Sequence, residues 1–501
     1  MQNGTLLAAV DLGSNSFRLE IGRFEHGHIR RSEYLKETVR QGNGLDEERN
    51  LTPEAMQRGW DCLARFGERL AGLKHGQVRA VATQTLREAR NRDEFLAQAH
   101  QILGFPIDVI SGREEARLIY QGVAHLLPQS DERRLVVDIG GRSTELILGH
   151  GYEARVMESY RVGSVAWSMK YFADGQLTER AFESAEIAAK AVLDEALNSY
   201  RRDAWDVAYG SSGTIGAVGD VLGAAGWPAD HVTRAGLDWL LDRLIKAQRT
   251  DRLRLDGMKE DRRAVIGGGL SVLRAVFDLL GIDELSAAQG ALRHGVLYDM
   301  LDREHEQTDL RSTSVQRLTE KFSVDTAQSL RVQKVTAQLF RQLFDGTQAS
   351  AEERSRHLRK LKWSASLHEI GCQISHSDYH KHGAYILDNT DAPGFAQHEL
   401  HRLGLLVLGH RGKLRKLDAD FEDSEFVAQL LCLRLAVILC HARREPDLKG
   451  LQLHWDRQNA KRFVLSCRSG WSQAFPQSAH LLREEMLAWQ KTLWSLSFSE
   501  A

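Results

Sequence analysis

Two stretches of this chain repeat one another. DLGSNSFRLEIG begins at Asp11 and DIGGRSTELILG at Asp138; aligned without gaps, they share an aspartate, a glycine two residues later, a serine, a leucine and a closing glycine. The separation is far too long for a solenoid repeat and suits a duplicated domain. Each copy has the form apolar strand, Asp, Gly-containing turn, apolar strand. Around the first copy, compact β-type runs alternate with helix-compatible segments: Leu6 to Val10, FRLEIGRF from Phe17, then VRAVAT and FPIDVI, separated by a polar stretch around Asn91 to Leu103. That alternation predicts an α/β architecture.

A strand that ends in Asp and runs into Gly and small hydroxyl residues offers backbone N–H groups to an anion, and Gly permits the close approach this requires. The first turn supplies Gly13, Ser14, Asn15 and Ser16; the second supplies Gly140, Gly141, Arg142, Ser143 and Thr144. Asp11 and Asp138, at the strand ends, are suited to hold magnesium directly or through water. One Asp-x-Gly alone reads as an ordinary hairpin turn. A matched pair points to a bound anion. A third turn, YGSSGTIGAV, places Ser212, Gly213 and Thr214 where a helix N-terminus adds donors, although such a turn is often purely structural.

ISGREEARLIY carries two adjacent carboxylates with different prospects. Ser111 as N-cap and Glu114 three residues later form a capping box, which explains Glu114 without chemistry. Glu115 is left over: either a solvated acid favoured by the helix dipole or a carboxylate that polarises water. Arg87 in ATQTLREA and Arg262 in MKEDRRAVIGGG are candidates to neutralise a transferring phosphoryl group, and each by itself also reads as a surface arginine.

At 501 residues the chain predicts three or four units. A formal net charge of −2 excludes a global basic signal for a nucleic-acid polymer, so any polyanion site is a local concentration of Lys and Arg. Five scattered cysteines with no CxxC pair suggest neither a disulfide framework nor a thiolate zinc site. The N-terminus lacks a signal-peptide pattern, and LLCLRLAVILC, interrupted by Arg434, reads as a buried helix rather than a transmembrane span. A reducing cytoplasm fits these features. Helical patterns dominate from Ser314 to about Arg444, and DREHEQTDLRSTS, without apolar periodicity, marks a boundary. The expected domains are 1–132, 133–303, 304–446 and a small α+β part at 447–501.

AVDLGSNSF, ATQTLR, ISGREEARLIY, VVDIGGRSTEL, YGSSGTI and GALRHGVLY, in that order, resemble the exopolyphosphatase and guanosine pentaphosphate phosphohydrolase family, part of the actin-like, heat-shock ATPase and sugar kinase superfamily. The match is dense over residues 1–303 and looser through WSASLHEIG and HKHGAYIL. The resemblance implies two ribonuclease-H-like lobes with the site in the cleft between them. By match, Glu115 is the catalytic base, Asp11, Asp138 and Glu145 line the metal and phosphate site, and Arg87 and Arg262 are phosphate-site arginines. It also implies magnesium, with a monovalent cation such as potassium as a further candidate, and a homodimer. One departure stands out: the family's third loop glycine is Arg142 here, which either aims at the substrate phosphates or only alters the loop.

The helical region resembles an HD-type phosphohydrolase domain without its metal site. His368-Glu369 stands where His-Asp belongs, Arg331 replaces the first His and Val437 the final Asp, leaving too few ligands for a transition metal. Two basic clusters, His380-Lys381-His382 and His410, Arg411, Lys413, Arg415 and Lys416, read either as solvated loops or as a track for a long polyanion. On that basis the expected activity is hydrolysis of terminal phosphoanhydride bonds of inorganic polyphosphate, releasing orthophosphate. The nearest alternative is removal of the 5′-terminal phosphate of guanosine pentaphosphate at the same site. A sugar or acetate kinase is disfavoured by the GREEAR match, and a non-enzymatic alarmone sensor by the complete acidic set.

Overall fold

Strand β1 (Leu6–Leu12) is apolar up to Asp11 and buried apart from its first residue, which places it at the centre of a sheet rather than at its edge. It pairs antiparallel with β2 (Phe17–Glu25), which pairs antiparallel with β3 (His28–Glu37), while β4 (Val78–Ala82) and β5 (Ile107–Val109) add in parallel on the other side. The order is β3-β2-β1-β4-β5. The second copy repeats the plan. β6 (Arg133–Ile139), β7 (Thr144–His150) and β8 (Glu153–Tyr160) form an antiparallel meander, and β9 (Val207–Ser211) lies parallel to β6. β10 (His231–Thr233) and β11 (Glu284–Ala287) complete the order β10-β11-β9-β6-β7-β8. These are two ribonuclease-H-like sheets clothed by helices, an α/β fold. The computed structural model describes residues 2–128, 130–228, 231–303, 309–344, 351–456, 459 and 461–500.

The strand runs seen in the sequence appear where expected. β3 was not anticipated, because its exposed, charge-rich face leaves no apolar run or clean alternation to read. Each lobe has its own apolar core. A third core, from Leu7 and Ala9 of β1 through Val136 and Ile147 to Val296 and Leu297, joins the two sheets.

The joint is built on the helix Gly112–Ala124, which is buried almost throughout, packed against the helix Leu292–Arg303. Glycine makes that contact possible: a Cβ on Gly295 would lie 1.7 Å from the Leu118 carbonyl oxygen, and one on Gly122 would lie 2.2 Å from that of Ala291. Beside this contact Asp299 accepts hydrogen bonds from Arg117 at 2.6 Å and Arg303 at 2.6 Å, and also from Arg79. Burial by itself would raise the Asp299 pKa, but the three guanidiniums outweigh it and hold the carboxylate below its usual range.

The chain divides into two compact units, Met1–Asp309 and Leu310–Ala501. The expected boundary at 303/304 abuts residues 304–308, which lie outside the described residues. The boundary segment DREHEQTDLRSTS is helical from Leu310 on, in a helix that runs to Lys321. In the second unit the helix Ser424–Leu439 is buried nearly all round, as its continuous apolar run predicts. Arg434 is accommodated there by a two-pronged pair with Glu485, with 2.6 Å between Nη2 and Oε2, and by a 2.6 Å bond from Nη1 to the Gly409 carbonyl. The sheet β12 (Gln452–Trp455), β13 (Arg462–Cys467), β14 (Ser495–Glu500) shares one core with the helices Thr326–Phe344 and Ser424–Leu439. No described helix is long and apolar enough to cross a membrane.

Candidate active site

A cavity of about 580 Å³ lies in the first unit, lined by both turns and by the third. Asp11, Gly13, Ser14, Asn15 and Ser16 face it from one sheet, and Asp138, Gly140, Gly141 and Ser143 from the other. Ser212, Gly213 and Thr214 face it from the strand-to-helix turn, and Glu115 and Arg262 also line it. Among the described residues, the backbone N–H groups of Gly13, Ser14, Asn15, Gly141, Arg142 and Ser143 donate to no protein acceptor. Six unspent amides at strand ends form two anion cradles facing one another. Carbonyls hold the turns in shape instead: Gly42 N–H donates to Ser14 O at 2.8 Å, and the amides of Val165 and Ala166 donate to Gly141 O at 2.8 and 3.0 Å.

The third turn has a strained entry. Ser212 sits at φ 98° and ψ 162°, a region almost reserved for glycine, while its hydroxyl accepts from the amides of Thr214 and Ile215 and caps the helix Gly213–Ala224. At the next position only glycine fits, because a Cβ on Gly213 would lie 2.2 Å from Nη2 of Arg262.

Glu115 is 7% exposed and sits in the first turn of its helix. Burial raises its pKa; Arg87, whose Nη1 donates to it at 2.7 Å, opposes the rise, and Asp11 adds to it. Its neighbour Glu114 behaves differently from expectation. Ser111 Oγ does accept from the Glu114 amide at 3.2 Å, but the Glu114 carboxylate takes Nε and Nη2 of Arg117, both at 2.8 Å, and so joins the Asp299 cluster.

Asp11 accepts from Arg18 at 3.1 Å; burial still raises its pKa, with Arg18 opposing. Burial pushes Asp138 up to about 7, despite a hydrogen bond from Ser211. Glu145 stands well above its usual range, first through burial and then through the charges of Glu115 and Asp138, with Ser159 Oγ donating to it at 2.7 Å.

Four of the anticipated residues do not form the cavity wall. Arg87 and Glu145 lie behind Glu115 and Asp138, and the Thr144 hydroxyl is spent on Val162 O at 2.6 Å. Arg142 turns its guanidinium away from the cavity to Glu88 and to the Gly42 carbonyl. Other wall residues escaped the sequence reading: Arg18, Tyr34, Lys36, Lys259 and Arg293. Arg18 alternates with apolar residues on β2, which only says that it points to the opposite face. Lys36 comes from the unanticipated β3. For Arg293 the GALRHG motif was a usable signal.

In the second unit the residues at the HD-like positions make other contacts. His368 Nδ1 is hydrogen-bonded to Ala365 O, Glu369 pairs with Arg443 at 2.7 Å, and Arg331 donates to Gln328. Among the described residues, no cluster of three or more His, Cys, Asp or Glu side chains has metal-holding geometry. The basic clusters also lose members. His410 is buried and held well below its usual pKa, and His380 is buried and pushed down to about 4, in both cases first by burial. Both are neutral near pH 7, and Lys381, Arg411, Lys413, Arg415 and Lys416 carry the charge.

Comparison with known proteins settles the kinship. The model of the Ppx/GppA phosphatase family matches residues 21–304, and that of domain III of the same phosphatases matches residues 310–487. The chain belongs to the Ppx/GppA phosphatase family. A relative from Vibrio atlanticus (strain LGP32), named guanosine-5′-triphosphate,3′-diphosphate pyrophosphatase, is 41% identical over 449 residues, covering 89% of both chains. One of the same name from Aeromonas hydrophila is 36% identical over 506 residues and spans 100% of both. Among solved structures, an exopolyphosphatase from Cytophaga hutchinsonii superposes with a TM-score of 0.52 at 25% identity, covering 60% of this chain and 98% of its own. As a member of this family, the protein is a hydrolase acting on phosphoanhydrides.

Proposed function

We propose that the chain removes the 5′-terminal phosphate of guanosine pentaphosphate. The observation that carries the chemistry is the pair of facing amide cradles, with Glu115 and Arg262 lining the same cavity. The choice of substrate is supported by the relatives that match along nearly the whole chain, all named for the guanosine nucleotide. It reverses the order expected from sequence, which ranked polyphosphate first on the strength of the C-terminal basic clusters. A cavity of about 580 Å³ is within the usual range for a small-molecule ligand, about 300–1,000 Å³.

Water attacks the terminal phosphorus, the anhydride P–O bond breaks, and orthophosphate leaves the shortened nucleotide. Phosphoryl transfer needs positioning and charge neutralisation more than covalent chemistry. The cradle amides and Arg262 hold the phosphate oxygens, and Arg18 and Arg293 add positive charge on the wall. Glu115 orients the water and takes its proton; its raised pKa brings its basicity closer to what the step requires.

The acidic set fits magnesium. Asp138 and Glu145 are opposed, buried carboxylates with hydroxyl partners, and both pKa values are raised, so a divalent cation would relieve their repulsion. With no three-ligand cluster among the described residues, a cation there would use one or two carboxylates plus water and phosphate oxygens, the usual habit of magnesium. When bound, it would neutralise charge on the phosphates. Asp11 lines the same cavity as Asp138.

The test is turnover. Purified enzyme should release phosphate from guanosine pentaphosphate with a kcat/KM at least about tenfold above that on long-chain polyphosphate, and Glu115→Gln should retain binding while losing most of kcat. The opposite substrate ranking would restore the polyphosphate reading, to which exposed Lys413, Arg415 and Lys416 lend support.

A further inference from the structure

The Arg142 side chain turns away from the cavity, yet it is connected to Glu115 by an unbroken line of hydrogen bonds. Its Nε and Nη2 donate to Glu88 Oε2 at 3.0 and 2.9 Å. The other Glu88 oxygen accepts from Gln84 Nε2 at 2.6 Å. Gln84 Oε1 accepts from Nε and Nη2 of Arg87 at 3.1 and 2.6 Å, which fixes the direction of the amide. Arg87 Nη1 then donates to Glu115 Oε2 at 2.7 Å and to the Ile110 carbonyl at 3.0 Å. Donor and acceptor alternate without a fault from one end to the other, and the charged members alternate in sign.

We infer that Arg142 is a positioning residue for Glu115, acting through Glu88, Gln84 and Arg87, so that the second phosphate turn and the water-activating carboxylate are held by one network. This rests on the reading of Glu115 as the base. The geometry explains why a guanidinium is used. Arg142 comes from the second lobe's turn, and its third nitrogen, Nη1, donates at 3.0 Å to the carbonyl of Gly42 in the first lobe. Only a planar fork can satisfy Glu88 and Gly42 together. Gly42 is itself packed on the first turn: a Cβ there would lie 3.1 Å from both Ser14 Cβ and Arg142 Cδ. The arrangement in which the two turns meet is therefore also the one in which Arg87 presents its Nη1 to Glu115. The buried setting keeps these bonds short and poorly screened, with the Arg87 and Glu115 side chains 11% and 9% exposed.

Glu88→Gln is the sharpest test, since it keeps shape but offers one acceptor where two are used. Either Arg142 or Gln84 must let go. On guanosine pentaphosphate, Glu88→Gln and Arg142→Ala should each lower kcat about tenfold with KM within about twofold of wild type, and the double variant should be no slower than the worse single one, as members of one unit behave. Arg142→Lys, the smaller change, should recover only part of the loss. Full kcat in both single variants, with Glu115→Gln inactive, overturns the relay alone. A raised KM at unchanged kcat overturns it too, since that assigns Arg142 to phosphate binding. Full turnover in Glu115→Gln removes the reading of the base, and the relay with it.

Discussion

Arg18 and Glu145 hold equivalent positions in the two copies of the hairpin. Each is the cross-strand partner of its own turn aspartate, Arg18 opposite Asp11 and Glu145 opposite Asp138. The repeated sequence thus sets an internal ion pair in the first lobe and two opposed carboxylates in the second. The duplication fixes where these side chains stand; a single divergent position in each decides the charge between them.

The opposed pair should make the metal-free protein sensitive to pH. The Asp138 pKa of about 7 in the folded state lies above its unfolded value, so its ionised form opposes folding above pH 7 and ceases to do so as pH falls to about 4. In EDTA at pH 8, Asp138→Asn should therefore stabilise the protein by roughly 2–4 kcal/mol in urea unfolding, with the gain shrinking toward pH 4. Added magnesium should stabilise wild type and not the variant. A destabilised variant at pH 8 would contradict the assignment.

Asp299 has the opposite sign. Its folded pKa is depressed by Arg117, Arg303 and Arg79 acting against burial, so its contribution is present above the unfolded carboxylate value of about 3.9 and fades as pH falls below it. Asp299→Asn leaves three guanidiniums short of their shared charge and should cost about 3–5 kcal/mol at pH 7. Thermal melting of the two proteins should converge below about pH 4. A gap that stays constant down to pH 3 would show that the loss is one of shape rather than charge.

Ser212 trades strain for a helix cap. Replacing it with glycine relieves a backbone cost of about 1–3 kcal/mol and loses a cap worth only a few tenths. Ser212→Gly should raise the melting temperature, by a net gain of about 1 kcal/mol, while weakening catalysis through a looser third turn. A lower melting temperature would mean that the hydroxyl, not the dihedral, dominates.

Much of the fold was legible because it is local or periodic. The repeat at Asp11 and Asp138 announced two like lobes, and short apolar runs marked β1, β2, β4 and β5. β3 was missed because it carries neither an apolar run nor clean alternation and is held by its neighbour in the sheet. β14 (Ser495–Glu500) was missed although Leu496 and Phe498 alternate with serines, a period-two signal that the short run at the end of a helical pattern hid. At the site, the turns and Glu115 could be named from motif and spacing. The preference for polyphosphate drew on His380 and His410 as cations, and burial makes both neutral.

The sequence by itself determined where the backbone of the site lies: the Asp-x-Gly turns at two strand ends leave six amides unspent, while bonds from Gly42, Val165 and Ala166 to the turn carbonyls hold their shape. Tertiary structure alone decided what the long side chains do. Arg142 could reach a phosphate or a neighbour with equal ease by its own chemistry. Glu88 and Gly42, 54 and 100 residues away in the chain, are what turn it from the cavity, because a guanidinium goes where two acceptors converge and folding alone brings those two together.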